Sequence, residues 1–260
     1  MLRKIARRLL PRYSTLGVLL EAARESFGDL RQMVRFRQEF QALQQQAQAT
    51  RPRFRLDRAD WLPCFKDRTS YTTFDAHYTY HPAWAARILA QTRPECHIDI
   101  SSILAFPTML SAFMPVRFFD YRPARLHLSN LSCEQADMLA LPFADGECSS
   151  VSCLHTIEHV GLGRYGDPLD YDGDLKAMKE LVRVMRPGGD LLIVTPVGQN
   201  RIVFNGHRSY SYDQVLEGFQ GCQLVQFSLV TDDRRFLEEA DPALVAQQAY
   251  GCGCFWFRKQ

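Results

Sequence analysis

His155-Thr156-Ile157-Glu158-His159 puts two imidazoles and a carboxylate into one short stretch of the chain. A neutral imidazole, with an unperturbed pKa of roughly 6.5, can take the proton from a hydroxyl nucleophile, and an adjacent carboxylate can orient it. His159 is therefore the candidate base and Glu158 its orienting partner. The same string matches H-x-x-E-H, in which two histidines on one helix face hold zinc. Zinc would need a helix through the motif and a third ligand. Here a strand-like run, 149–154, leads directly into it, and Gly161 and Gly163 soon break it. A zinc hydrolase is thus the third-ranked reading, and no metal ligand is expected. Upstream, Asp99 and Asp120 each close a short apolar run and stand 21 residues apart. That is close to the roughly 20 at which a second-strand carboxylate reaches a ribose diol in nucleotide-binding βαβ units.

The elements that must carry these residues are strands alternating with helices. Strand-like runs fall at 96–100, 116–120, 131–133, 149–154 and 190–195. Helical patterns fall near 106–113 and 172–185, and His81-Pro82 reads as a helix start with Trp84, Ile88 and Leu89 on its apolar face. Alternation of this kind predicts parallel crossovers in a doubly wound sheet, with ligands outside the carboxyl ends of the strands. The tail adds a helix near 211–219, a strand at 224–229, a helix near 236–248 and a strand at 252–257. The last two strands are expected to form an antiparallel sheet edge.

With these residues placed, the chain resembles the class I S-adenosylmethionine-dependent methyltransferases. The resemblance rests on Asp99 in the first motif, Asp120 after the second strand, Asp137-Met138 in the adenine motif, and Arg186-Pro187-Gly188-Gly189 before the fifth strand, and it covers roughly residues 75–257. The string from Leu154 to Pro168 is similar to a bacterial and nematode domain family of unknown function. The resemblance implies an α/β, Rossmann-like, mostly parallel methyltransferase sheet with an antiparallel edge strand. It also implies S-adenosylmethionine as cofactor: Asp120 and Tyr121 at the ribose, Asp137 at the adenine amino group, Met138 on the ring. The loop Asp99-Ile100-Ser101-Ser102 would cradle the methionine end, with His155 also in contact. The family usually has glycines where this chain has Ser101 and Ser102, and glycine allows close backbone approach and positive φ. That departure keeps a non-catalytic methyltransferase-like scaffold as the second reading. Arg164, Asp167, His207 and Arg208 fall where an acceptor would bind, and suit a hydroxylated or anionic small molecule such as a saccharide of surface-polymer synthesis.

Composition sets the remaining bounds. The chain has 260 residues, 46% of them hydrophobic, enough for one large α/β domain with an appendage. No run approaches the roughly 18 to 20 apolar residues of a membrane span. Eight cysteines without a CxxC pair are expected to be reduced, mostly buried thiols of a cytoplasmic protein. Residues 1–58 hold 13 Lys/Arg and 5 Asp/Glu, a charge of +8, which leaves −6 for residues 59–260. The first 60 residues read as a basic helical arm and linker, and 61–260 as the methyltransferase domain. Apolar residues recur at helical spacing from Leu2 to Val34, beside Arg3, Lys4, Arg7, Arg8 and Arg12. Such an arm suits peripheral contact with the inner membrane surface or self-association. No nucleic-acid module accompanies it, so nucleic acid is not an expected partner.

Overall fold

Asp75 ends an irregular stretch and accepts a hydrogen bond from the Tyr78 amide at 3.2 Å, which starts the first helix of the sheet-bearing unit. The computed structural model describes residues 15–50 and 53–260 and divides into two compact units, Met1–Thr73 and Phe74–Gln260. In the first, helix α1 spans Thr15–Gln48. Trp61 folds back edge-on to Phe36 and Phe40, with ring centroids 5.2 Å away in both cases. Trp61, expected to begin the methyltransferase domain, therefore packs on α1 within the first unit. The basic positions Arg3, Lys4, Arg7, Arg8 and Arg12 lie outside the described residues.

In the second unit helix α2 (Ala76–Thr92) precedes β1 (His97–Ile100), α3 (Ala105–Leu110), β2 (Val116–Asp120), β3 (Leu131–Gln135) and β4 (Cys148–Leu154). Then come α4 (Gly173–Val184), β5 (Met185–Val197), the hairpin β6 (Arg201–Val203) and β7 (His207–Ser209), and α5 (Tyr212–Gly218). Strands β8 (Cys222–Val230), β9 (Phe236–Leu237) and β10 (Gly251–Lys259) complete it. Eight strands form one sheet in the order β3-β2-β1-β4-β5-β10-β8-β9. The first five are parallel, and β10 runs antiparallel to both β5 and β8. The fold is the Rossmann-like α/β sheet expected of a methyltransferase. Apolar side chains fill both faces: Trp84, Ile88, Leu89 and Phe106 on one, Phe119, Met178, Leu181 and Phe255 on the other.

Two expectations are corrected. Pro82 lies inside α2, because the Asp75 cap starts the helix six residues before it. The helix expected near 236–248 is the two-residue edge strand β9 followed by a short 3-10 turn, Pro242–Gln247. The last two long strands, β8 and β10, form the antiparallel side of the sheet as expected, with β10 inserted between β5 and β8 and the short β9 outermost. The reason is visible in Cys252, Cys254, Phe255 and Phe257, which are all buried; a strand covered on both faces is apolar throughout. Among the described residues, no helix is long and apolar enough to cross a membrane.

Candidate active site

The carboxyl ends of β1, β2 and β4 and the loops beyond them enclose a cavity of ≈ 320 Å³. Of the residues expected to hold cofactor, Ile100, Ser101, Asp120, Tyr121, Asp137, Met138 and His155 line it. Asp120 accepts the Arg122 amide at 2.7 Å through one oxygen, and Asp137 accepts the Leu139 amide at 2.9 Å. Both carboxylates are thereby fixed by their own turns. Met138 is buried and supplies an apolar wall. Ser101 has φ +56, the left-handed conformation for which the family's glycine is suited. Its amide and hydroxyl reach the Phe119 carbonyl at 2.7 and 3.2 Å, and its own carbonyl accepts the Thr156 hydroxyl at 2.9 Å. The serine takes up the turn without glycine.

Asp99 and Ser102 do not line the cavity. Asp99 is fully buried and accepts hydroxyl bonds from Ser102 at 2.6 Å and Ser152 at 2.5 Å. Ser152 spends its proton on Asp99, so its oxygen accepts from His97 Nε2 at 2.9 Å, while His97 Nδ1 meets Ser150 at 2.8 Å. Burial pushes the Asp99 carboxyl up to about 7, against the lowering pull of the two hydroxyls, and burial holds His97 down at about 3. Asp99 braces β1 against β4 behind the pocket, a correction to its expected cofactor contact.

The segment after β4 is a tight turn, not an α-helix: His155 has φ +59 and Ile157–His159 form a single 3-10 turn. The two histidines therefore do not form the helix-face pair that the H-x-x-E-H pattern requires. Glu158 is almost wholly buried, and its Oε1 bonds His155 Nδ1 at 2.8 Å but stands 3.8 Å from His159 Nε2. The partner that orients His159 is the Gly206 carbonyl in the β6–β7 turn, which accepts from Nδ1 at 2.6 Å. Burial lowers the His159 pKa below the ordinary value, so the ring is neutral near pH 7 with Nε2 as its lone-pair nitrogen. His159 also lines the cavity.

Of the expected acceptor residues, Arg208 is a structural clamp. It is buried, donates to the Val160, Asp170 and Tyr171 carbonyls at 2.6, 3.2 and 2.9 Å, and sits 3.4 Å from Asp174. That arrangement leaves it no role in holding a ligand. Asp167 faces the cavity, yet its carboxylate is engaged by the Gly161, Gly163 and Tyr165 amides. Arg164 donates to the Gly206 carbonyl at 3.2 Å and lies over the Tyr165 ring. His207 is half-buried and packs on Tyr250 with centroids 4.8 Å apart.

Three further residues meet this turn without having been singled out from sequence. His77 stacks on His155 and Tyr250 at 5.4 and 5.0 Å, and Cys252 is buried at the amino end of β10. Because β10 is antiparallel, its amino end lies beside the carboxyl end of β5, where Gly251 pairs with Val197. The available signal was the spacing of His77 and His81, one helical turn apart beside Tyr78. Tyr78 stacks on His155 at 5.5 Å, Tyr80 stacks on Phe236, and His81 is wholly buried.

The family described as Caenorhabditis protein of unknown function, DUF268, matches residues 145–237, a stretch from just before β4 to β9. No curated protein matches the chain. Among solved structures, a geranyl diphosphate methyltransferase in complex with S-adenosylmethionine is similar over 70% of this chain and 87% of its own, with 11% identity and a TM-score of 0.51. A protein from Galdieria sulphuraria provisionally assigned as a sarcosine dimethylglycine methyltransferase is similar over 69% and 85%, with 14% identity and a TM-score of 0.50. These likenesses show a methyltransferase-type fold.

Proposed function

We propose that the chain transfers a methyl group from S-adenosylmethionine to a hydroxyl of a small polar acceptor, such as a saccharide. The observation that carries this reading is the convergence of Asp120, Asp137, Met138 and the Ser101 turn on one cavity. A carboxylate with an oxygen to spare suits a ribose diol, a second carboxylate suits an exocyclic amine, and an apolar thioether suits the face of a purine. When bound, the cofactor supplies a methyl group on a sulfonium, whose charge is lost on transfer, so alignment supplies much of the acceleration.

The residues of this chain then position and deprotonate the acceptor. His159, neutral and held by Gly206, would take the acceptor's hydroxyl proton on Nε2, while the bound cofactor would supply the methyl group to the acceptor oxygen. His207, packed on Tyr250, is kept as an acceptor contact of this reading, although neither side chain lines the cavity.

Calorimetric titration with S-adenosylmethionine and its demethylated product tests the pocket. Asp120→Ala removes bonds to a charged acceptor worth about 3 kcal/mol together, a loss of roughly 150-fold in affinity. Unchanged affinity in that variant, or no binding by the parent protein, would defeat the reading.

A further inference from the structure

We propose that His77, His155 and Cys252 hold a divalent transition-metal ion of the zinc class beside the cavity. Their donor atoms, two imidazole nitrogens and one thiol sulfur, lie within 4.8 Å of one another. In a tetrahedral zinc site such donors stand about 3.3–3.6 Å apart, so side-chain rotations that contract the cluster by about an ångström would complete it. The donors come from α2, the turn after β4 and the start of β10, three elements that meet at the ligand-bearing edge of the sheet.

Two independent observations point to a ligand there. The first is tautomeric. His155 Nδ1 shares its proton with Glu158, which leaves Nε2 as a lone-pair donor, and Nε2 is buried without a hydrogen-bond partner. A carboxylate that fixes one imidazole nitrogen while the other faces a metal is the usual outer-shell arrangement of metal sites. The second is electrostatic. Glu158 is 1% exposed, its Oε2 has no partner, and no Arg or Lys bonds it among the described residues. A buried carboxylate without a cation is costly. A dication together with the Cys252 thiolate and the Glu158 carboxylate gives a neutral cluster.

Donor chemistry narrows the ion: two imidazoles and a thiolate favour zinc, cobalt or copper over magnesium and calcium. Three protein ligands leave a tetrahedral ion one open position, the pattern of catalytic sites. His155 also lines the cavity, so the ion adjoins the pocket. A Lewis-acid role at that position, polarising the acceptor hydroxyl, rests on the methyl-transfer reading; occupancy by metal does not. The site replaces the expectation of no metal, and it uses only one histidine of the H-x-x-E-H string.

The test is titration of the chelator-stripped full chain with cobalt(II), followed by absorption spectroscopy. One equivalent is expected to produce a thiolate-to-cobalt charge-transfer band and intense tetrahedral d–d bands, and zinc should displace both. Cys252→Ser should lose the charge-transfer band. His77→Gln, at a half-buried helix position that tolerates polar side chains, should bind at least about tenfold more weakly, and Glu158→Gln about 10–100-fold more weakly. Circular dichroism establishes that each variant is folded. Absence of the bands in the parent protein overturns the proposal, as does a charge-transfer band that survives Cys252→Ser or affinity unchanged in His77→Gln. Cofactor calorimetry on the same stripped protein reads the methyltransferase pocket separately, so either reading can fail without the other.

Discussion

Replacing Asp99 with asparagine should remove a pH dependence from the stability of the sheet-bearing unit. The folded carboxyl is raised to about 7 from an ordinary 3.8, chiefly because it is fully buried, and the Ser102 and Ser152 hydroxyls offset only part of that. The folded state therefore binds the proton more tightly than the unfolded one. The resulting stabilisation is complete below pH about 4, falls as pH rises from about 4 to 7, and is gone above 7. A rise of that size corresponds to about 4 kcal/mol, of which about 3 kcal/mol is lost between pH about 5 and about 8.5. His97 acts in the opposite direction: its folded pKa of about 3 lies below the ordinary 6.5, so its contribution is full above 6.5 and is lost as pH falls toward 3. Both proteins retain His97, so the difference between their curves isolates Asp99. Urea unfolding of the parent and Asp99→Asn at the two pH values gives the comparison. The parent should lose about 3 kcal/mol more than the variant on going to alkaline pH. Curves that stay parallel to within about 1 kcal/mol would show that Asp99 ionises without penalty, and would refute the burial argument.

Other changes probe the loop over the cavity and the thiols. In Gly161→Ala a Cβ would stand 2.1 Å from the Asp170 carbonyl at φ +79, so thermal unfolding should report a loss of about 2–4 kcal/mol; an unchanged midpoint would mean the turn is free to move. Arg208→Lys cannot reproduce the forked contacts to Val160, Asp170 and Tyr171, and a destabilisation of about 3 kcal/mol is expected in urea. A variant as stable as the parent would show that the clamp is dispensable. Under native conditions an alkylating reagent followed by mass spectrometry should label exposed Cys64 first, and buried Cys148, Cys153 and Cys254 only after denaturant is added. Early labelling of Cys153 would contradict its place inside β4.

The strands were legible because their apolar runs are short and bounded, and two carboxylates of the cavity wall because Asp120 ends β2 and Asp137 follows the end of β3. Asp99 has the same sequence signature and a different fate. Its direction was decided by Ser152, a partner on another strand that local pattern does not reveal. Ser101 shows the converse: the departure from the family's usual glycine supported a scaffold reading, whereas the hydrogen bonds to Phe119 and from Thr156 hold a serine in the left-handed conformation. Glu158 and His159 are adjacent in sequence, but a 3-10 turn points them at different partners, which helical spacing rules do not anticipate. His77, Tyr250 and Cys252 were invisible as a group, because only the insertion of β10 brings the last two to α2.

That insertion also governs the order in which the molecule can be assembled on the ribosome. β5 and β8 are made before β10, yet neither can pair with the other without it, since β10 lies between them. Until Gly251–Lys259 emerges, the nascent sheet presents the open side of β5, which includes the wholly buried Leu192, Ile193 and Val194, as an unpaired apolar edge. Such edges recruit strands from other chains. Growth temperature and translation rate should therefore control the soluble yield of this protein more strongly than substitutions in its cavity, and any terminating lesion before Gly251 should yield aggregate rather than a smaller folded protein.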